Sequence, residues 1–285
     1  MTDAVNGEVK SGGRARTFTL RLPRGADPDA LVILLHGNDP EASGEQIRQY
    51  TGFDRQADAQ GLAIAYPDGH AGSWADGRGV TRADEAGMDD VGFLRAVIDW
   101  SADRYGTFPD RAVVAGMSNG AFMAQRMALE ASDQVAVLAA VAGQMPASLA
   151  GTEPSHAVSA ILIHGAADSI APIEGGYSRH RGPNGELRGR TLSLEETAAR
   201  WRAIDRCPPG RGETHTTGLS SRHTSPAGAG GTRVVAWTVF GGGHTWPGVP
   251  LPPEYAEPVS MEFDAAEEIC RLARPLIVPA KERRL

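Results

Sequence analysis

Three residues have types and surroundings suited to acyl chemistry: Ser118 between glycines in "GMSNG", Asp168 after an apolar run in "ILIHGAADS", and His244 after three glycines in "GGGHTW". A serine hydroxyl is a poor nucleophile at neutral pH and needs a base within hydrogen-bond reach. His244 is the candidate base. Asp168 is the candidate carboxylate, able to orient and stabilise the imidazolium without itself taking the proton. Attack by Ser118 creates an oxyanion that needs donors already in place, each worth on the order of 3 kcal/mol. The backbone N–H of Asn119, directly after the serine, is one candidate. Asn38 in "LLHGN" is the other, with Gly37 beside it. Taken alone, "GMSNG" equally fits a serine capping the helix that follows, because serine and glycine start helices and turns anyway.

The elements that must position these residues decide the matter. "ALVILLHG", "LAIAY", "RAVVAGM", "VAVLAAVAG", "AILIHG" and "RVVAWTVF" are apolar runs of strand length with little alternation. That texture fits strands covered by helices on both faces. "RTFTLRL" alternates Phe18, Leu20 and Leu22 with polar residues, as a strand at a sheet edge or in an antiparallel pair would. Between the runs lie helix-like segments: "GEQIRQYTGFDRQADAQ", "DDVGFLRAVIDWSADRY", "GAFMAQRMALEA" and "SLEETAARWRAI". Strands alternating with helices imply βαβ units and a mostly parallel sheet. Asp89 and Asp90 suit the N-cap of the second helix, and Ser193 with Glu196 forms a capping box.

In such a sheet functional groups gather at the carboxyl ends of strands. Followed to their ends, the runs lead to His36-Gly37-Asn38, to Ser118, to Asp168 and to His244. The order serine, aspartate, histidine, with the serine between a strand and a helix, is that of the α/β-hydrolases. His36 and His164, in "LHG" and "IHG", suit buried structural histidines, whereas His70, His156, His180, His215 and His223 lie in polar, loop-like sequence. Residues 171–190 form a glycine-rich, charged excursion from the sheet and a candidate wall of the site. Residues 208–232 read as a second such loop.

The chain has 285 residues, 41% hydrophobic and 22% charged, enough for one large core. The expectation is a single domain over 1–285, with a polar leader at about 1–14 and a polar tail at about 276–285. The net charge of −7 and the absence of a basic run other than "KERRL" argue against a nucleic-acid partner or an anionic membrane surface. No apolar run is long enough for a signal core or a bilayer span, which leads to the expectation of a cytoplasmic protein. The two cysteines, Cys207 and Cys270, lack metal-ligand spacing and are expected to be free thiols. No cofactor or metal is implied.

With these residues placed, the chain resembles the polyhydroxybutyrate depolymerase-like esterases, α/β-hydrolases that also include feruloyl and acetylxylan esterases. The carrying segments are "LLHG", "YPDG" followed by Trp74, "GMDDVGFLRAVIDWSADRYGTFPDRAVVAGMSNGAFMA", "IHGAADSIAPIEGG", "LSLEETAARW" and "GGGHTWPG". The resemblance implies an α/β-hydrolase fold without a large separate lid domain, and a carboxylic ester hydrolase with Ser118, Asp168 and His244 as its triad. It implies a small-molecule or oligomeric ester as substrate, and it suggests that Trp74 and Trp246 line the substrate pocket. Many such relatives are exported and bridge the cysteine after the "ARW" helix, but Cys207 has no matching partner before the last strand. Two other readings fit the same residues: a peptidase or acyltransferase using the same triad, and a hydrolase-fold binding protein without catalysis.

Overall fold

The computed structural model describes residues 4–181, 185, 187–210, 212–251 and 257–278. Ten strands form one sheet: β1 (Ala4–Ser11), β2 (Arg14–Arg21), β3 (Ala30–Leu35), β4 (Leu62–Pro67), β5 (Ala112–Met117), β6 (Val135–Val141), β7 (Ser159–Gly165), β10 (Glu213–Thr216), β11 (Ser220–Thr224) and β12 (Val234–Val239). Two short strands, β8 (Gly176–Tyr177) and β9 (Arg190–Thr191), pair apart from it. The helices are α1 (Gly44–Thr51), α2 (Phe53–Gln60), α3 (Arg82–Glu85), α4 (Asp90–Tyr105), α5 (Asn119–Glu130), α6 (Leu194–Ile204) and α7 (Ala265–Ile277).

The sheet order is β1-β2-β4-β3-β5-β6-β7-β12-β11-β10, parallel from β4 through β12. Antiparallel hairpins extend it at both ends. The chain leaves β3 for β4 on one side and returns to β5 on the other. The order of the strands therefore reverses between β3 and β5, and a crevice opens where their carboxyl-end loops diverge.

The continuous apolar run of β3 feeds two cores at once, because alternate side chains leave opposite faces of a strand. Leu31, Ile33 and Leu35 join Phe93, Leu94, Met123 and Trp201, from α4, α5 and α6. Ala30, Val32 and Leu34 join Ile47, Phe53 and Ile269, from α1, α2 and α7 on the other face. Phe18 and Leu20 of β2 are buried as their alternation requires, and the strand sits in an antiparallel pair.

Three expectations are corrected. The polar leader is strand for most of its length: β1 pairs with β2 in full register, and the ring of Phe18 covers Gly7, where no side chain would fit. The segment read as one helix over 44–60 is two, because Gly52 adopts φ 73 and turns the chain between α1 and α2. The loop over 208–232 contains the β10–β11 hairpin. The helix α7 runs through Ile277, and the rest of the tail expected at about 276–285 lies, from 279, outside the described residues.

Asp89 caps α4 through the Gly92 amide, but Asp90 does not share that role. It is fully buried, pairs with Arg16 at 2.8 Å and accepts the Ala75 amide at 2.7 Å, so it anchors the loop after β4 to the sheet. Ser193 and Glu196 form the expected capping box of α6, and both cysteines are free. Among the described residues no helix is long and apolar enough to cross a membrane.

Asp205, at the C-terminal end of α6, gives a prediction for stability. Burial pushes its carboxyl from 3.8 up to about 7, against the opposing hydrogen bonds from Val158 and Thr232. Between those two pH values the folded chain holds a proton that the unfolded chain has lost, so stability falls as pH rises through that window and levels off above it. Asp205→Asn keeps an acceptor for Val158 and removes the titration. Its stability relative to wild type should rise by up to about 4 kcal/mol between pH 4 and pH 8, as read by urea unfolding at each pH.

Candidate active site

Ser118 follows β5 directly and takes φ 54 and ψ −117, a conformation non-glycine residues adopt only under constraint, at about 1–3 kcal/mol. Its amide donates to the Val141 carbonyl at 2.9 Å and its carbonyl accepts the Phe122 amide at 3.0 Å, which fixes the sharp turn from strand into α5. Ser118 stands at the N-cap position of α5, yet its side chain caps no amide. The simple capping role therefore fails, and the hydroxyl is left available.

The flanking glycines permit the turn. A Cβ on Gly116 would come within 2.8 Å of the Ala121 nitrogen, and one on Gly120 within 2.6 Å of the His36 carbonyl oxygen, with the Leu35 carbonyl closer still. These are backbone atoms that cannot rotate away. Gly120→Ala should therefore cost about 3 kcal/mol or more and lower soluble yield and activity together, as thermal unfolding and an ester assay would show.

Asp168 follows β7 and is buried. Its Oδ1 accepts the Ile170 and Ala171 amides at 2.8 and 2.7 Å, and its Oδ2 accepts His244 Nδ1 at 2.8 Å. His164 Nε2 lies 3.3 Å from the same Oδ2. Burial opposes ionisation, but the hydrogen bonds from His164 and His244 outweigh it and hold the carboxyl well below the usual carboxylate range. His244 follows β12 in a tight loop, and its amide donates to Glu257 at 3.1 Å. Glu257 also accepts the Ser169 hydroxyl, clasping the loops that carry Asp168 and His244 to each other.

Ser118, Asn119, Gly37, Asn38 and His244 line one cavity of about 590 Å³ at the carboxyl ends of the strands. Its apolar side includes Met117, Phe122, Ile170 and Pro172; Arg78 and Arg188 supply cationic groups. His244 bonds to Asp168 and Glu257, and no hydrogen bond joins it to Ser118 across the cavity. The stretch 171–190 forms part of the wall as expected, through Ala171, Pro172, Ser178 and His180.

The loops offering backbone donors are held from behind. The Asn119 side chain accepts the Trp74 amide at 2.8 Å and donates to Trp74 O at 3.1 Å and to buried Asp76 at 2.6 Å. Asp76 is paired in turn with Arg78 at 2.7 Å, whose guanidinium lies over Phe122. The Asn38 side chain accepts from Arg82 at 3.0 Å. Asp76, Arg78, Phe122 and Glu257 were not among the residues singled out in the sequence, although Asp76 and Arg78 lie in "SWADGRG", two and four positions after Trp74.

The two tryptophans do not line the cavity. Trp74 is fully buried, donates from Nε1 to the His36 carbonyl at 3.0 Å and packs on His36 and Phe93. It supports the loop after β3 from below. Trp246 is fully buried against Phe53 in the opposite core. In both cases a large apolar ring next to a site loop in sequence serves packing beneath that loop. His36 is the structural histidine expected: Nδ1 donates to Gly37 O at 2.7 Å, Nε2 accepts the Gly69 amide at 2.9 Å, and burial lowers its pKa.

Comparison with known proteins is consistent with this arrangement. The family model described as esterase PHB depolymerase matches residues 16–175. A protein named "Putative esterase NocK", from Nocardia uniformis subsp. tsuyamanensis, is 33% identical over 260 residues, covering 86% of this chain and 74% of its own. Among solved structures, an acetyl xylan esterase from Aspergillus awamori superposes with a TM-score of 0.57 at 14% identity, covering 85% of this chain and 94% of that one. A cold-adapted esterase from an Arctic intertidal metagenomic library gives 0.56 at 14% identity, covering 96% and 94%. The structural likenesses establish the α/β-hydrolase type of fold, and the family match, with the 33% identical relative, establishes the kind of enzyme. The chain belongs to the PHB depolymerase esterase family and is a carboxylesterase-type hydrolase.

Proposed function

We propose that the chain hydrolyses carboxylic esters through an acyl-serine intermediate, with Ser118 as nucleophile, His244 as general base and Asp168 as the carboxylate that orients it. The observation that carries this reading is the 2.8 Å bond from His244 Nδ1 to Asp168, at the cavity where Ser118 stands on its constrained turn. That bond leaves Nε2 of neutral His244 as the acceptor for the Ser118 proton. As substrate enters, the hydroxyl turns onto Nε2, in keeping with the tightening of such contacts in substrate complexes.

The hydroxyl oxygen then adds to the ester carbonyl while His244 takes its proton. The oxyanion forms against the backbone N–H groups of Asn119 and Asn38, at the positive end of α5. Collapse breaks the bond to the alcohol, which leaves with the proton from His244. Water attacks the acyl-serine by the same route in reverse, releasing the acid and restoring Ser118. The apolar side of the cavity, at Met117, Phe122 and Ile170, suits a short acyl chain. The family and the acetyl xylan esterase likeness favour esters of short acids, whether free or on an oligomer.

The test is product analysis. Purified protein should release p-nitrophenol and acid from p-nitrophenyl acetate and butyrate, and leave matched p-nitroanilides intact. Amide cleavage at a comparable rate would favour the peptidase reading. Transfer of most of the acyl group to an added alcohol would favour the acyltransferase reading.

A further inference from the structure

His164 was read from sequence as a structural histidine, but its contacts reach the proposed triad. It stands near the end of β7 with 1% exposure. Its Nε2 lies 2.8 Å from the Ala171 carbonyl and 3.3 Å from Asp168 Oδ2. A carbonyl oxygen only accepts, so Nε2 carries a hydrogen and is the donor. The Ala171 amide donates to Asp168 Oδ1 at 2.7 Å. Ala171 is thus gripped at both polar groups: by the carboxylate at its N–H and by His164 at its C=O. The same Nε2–H faces the carboxylate oxygen that His244 uses.

We propose that His164 is a positioning residue of the esterase site, fixing the turn that carries Asp168 and sharing its Nε2 hydrogen with the Asp168 oxygen that holds His244. This rests on the triad reading above. A second donor at Oδ2 draws charge from the carboxylate, so losing that donor strengthens the carboxylate's pull on the His244 imidazolium. Among the described residues, few charged or titratable groups face this pair. They are His244, the Arg179 guanidinium on the Asp168 carbonyl at 3.2 Å, and Glu257 on the His244 amide at 3.1 Å. The strand neighbours of His164, Thr238 on β12 and Ala142 after β6, carry no charge.

His164→Phe removes the donor and His164→Gln restores one at nearly the Nε2 position. With kcat counted per site titrated by a fluorophosphonate, the Phe variant should lose about tenfold, the size of one hydrogen bond to a charged group, with KM little changed. The acid limb of its kcat/KM profile should move up by about half a pH unit or more, and the Gln variant should recover most of both effects. A Phe variant with wild-type kcat per site and an unmoved acid limb would overturn the proposal, as would a Gln variant that falls as far as Phe. If the Phe variant does not fold, ring ¹⁵N spectra of the wild-type protein decide: His164 should be the Nε2–H tautomer at neutral pH, and an Nδ1–H tautomer would overturn the proposal. Failure of the fluorophosphonate to label wild-type Ser118 would instead sink the triad reading, so the two failures are distinguishable.

Discussion

Ser118→Ala should lower kcat for p-nitrophenyl butyrate by on the order of 10⁴- to 10⁶-fold while the protein stays folded. The size follows from the proposed route, because without the hydroxyl no acyl-enzyme forms and only the oxyanion donors and binding contribute. The folded state should tolerate the change. The Ser118 side chain caps no amide, so its removal strips no hydrogen bond from α5. Alanine and serine are similarly constrained at φ 54, so the backbone cost is common to both chains. A melting temperature within a few degrees of wild type, together with lost turnover, is the expected pair of results. Lost turnover with a collapsed melting curve would point to the turn and not to the nucleophile.

Asp168→Asn should cost about 10⁴ in kcat, with KM changed far less. The geometry supplies the reason. The two backbone amides of Ile170 and Ala171 demand an acceptor at Oδ1, so the substituted amide must turn its NH₂ toward the position that Oδ2 holds. There it meets His244 Nδ1–H and the His164 Nε2 hydrogen, donor against donor. The repulsion is relieved if His244 adopts the tautomer with hydrogen on Nε2, which is unable to take the Ser118 proton. Steady-state kinetics would show the loss in kcat. Recovery of rate at high pH, where hydroxide replaces the missing base, would add to it.

Much of the framework was legible because burial on both faces removes alternation. "ALVILL" has no polar position, since alternate residues enter two different cores, and such a run permits few other readings. Once the runs were strands, their ends placed Ser118, Asp168 and His244 together. The elements that escaped have different physics. All four residues of β10, "ETHT", are exposed, so no hydrophobic pattern marks that strand. The break between α1 and α2 depends on one left-handed glycine inside an otherwise helical pattern. Asp90 looked like a cap because carboxylates favour helix starts, whereas its partner Arg16 is distant in sequence.

The site shows the same limit. Type and order pointed to residues that the fold brings to one end of the sheet, but the groups that support them come together only in three dimensions. Asn119 is held through Trp74 and Asp76, and Asp168 meets a second histidine because β7 and the turn after it fold back together. Trp74 and Trp246 were misplaced because proximity in sequence to a site loop does not say on which side of the backbone a ring lies.

The central claim is that an acyl group passes through Ser118. Intact-mass and peptide-mapping mass spectrometry after reaction with a fluorophosphonate tests it most directly. One label per chain on Ser118, with esterase activity lost in proportion and no label on the Ser118→Ala variant, is the predicted result. Full turnover persisting in chains whose Ser118 is labelled or replaced would contradict the account.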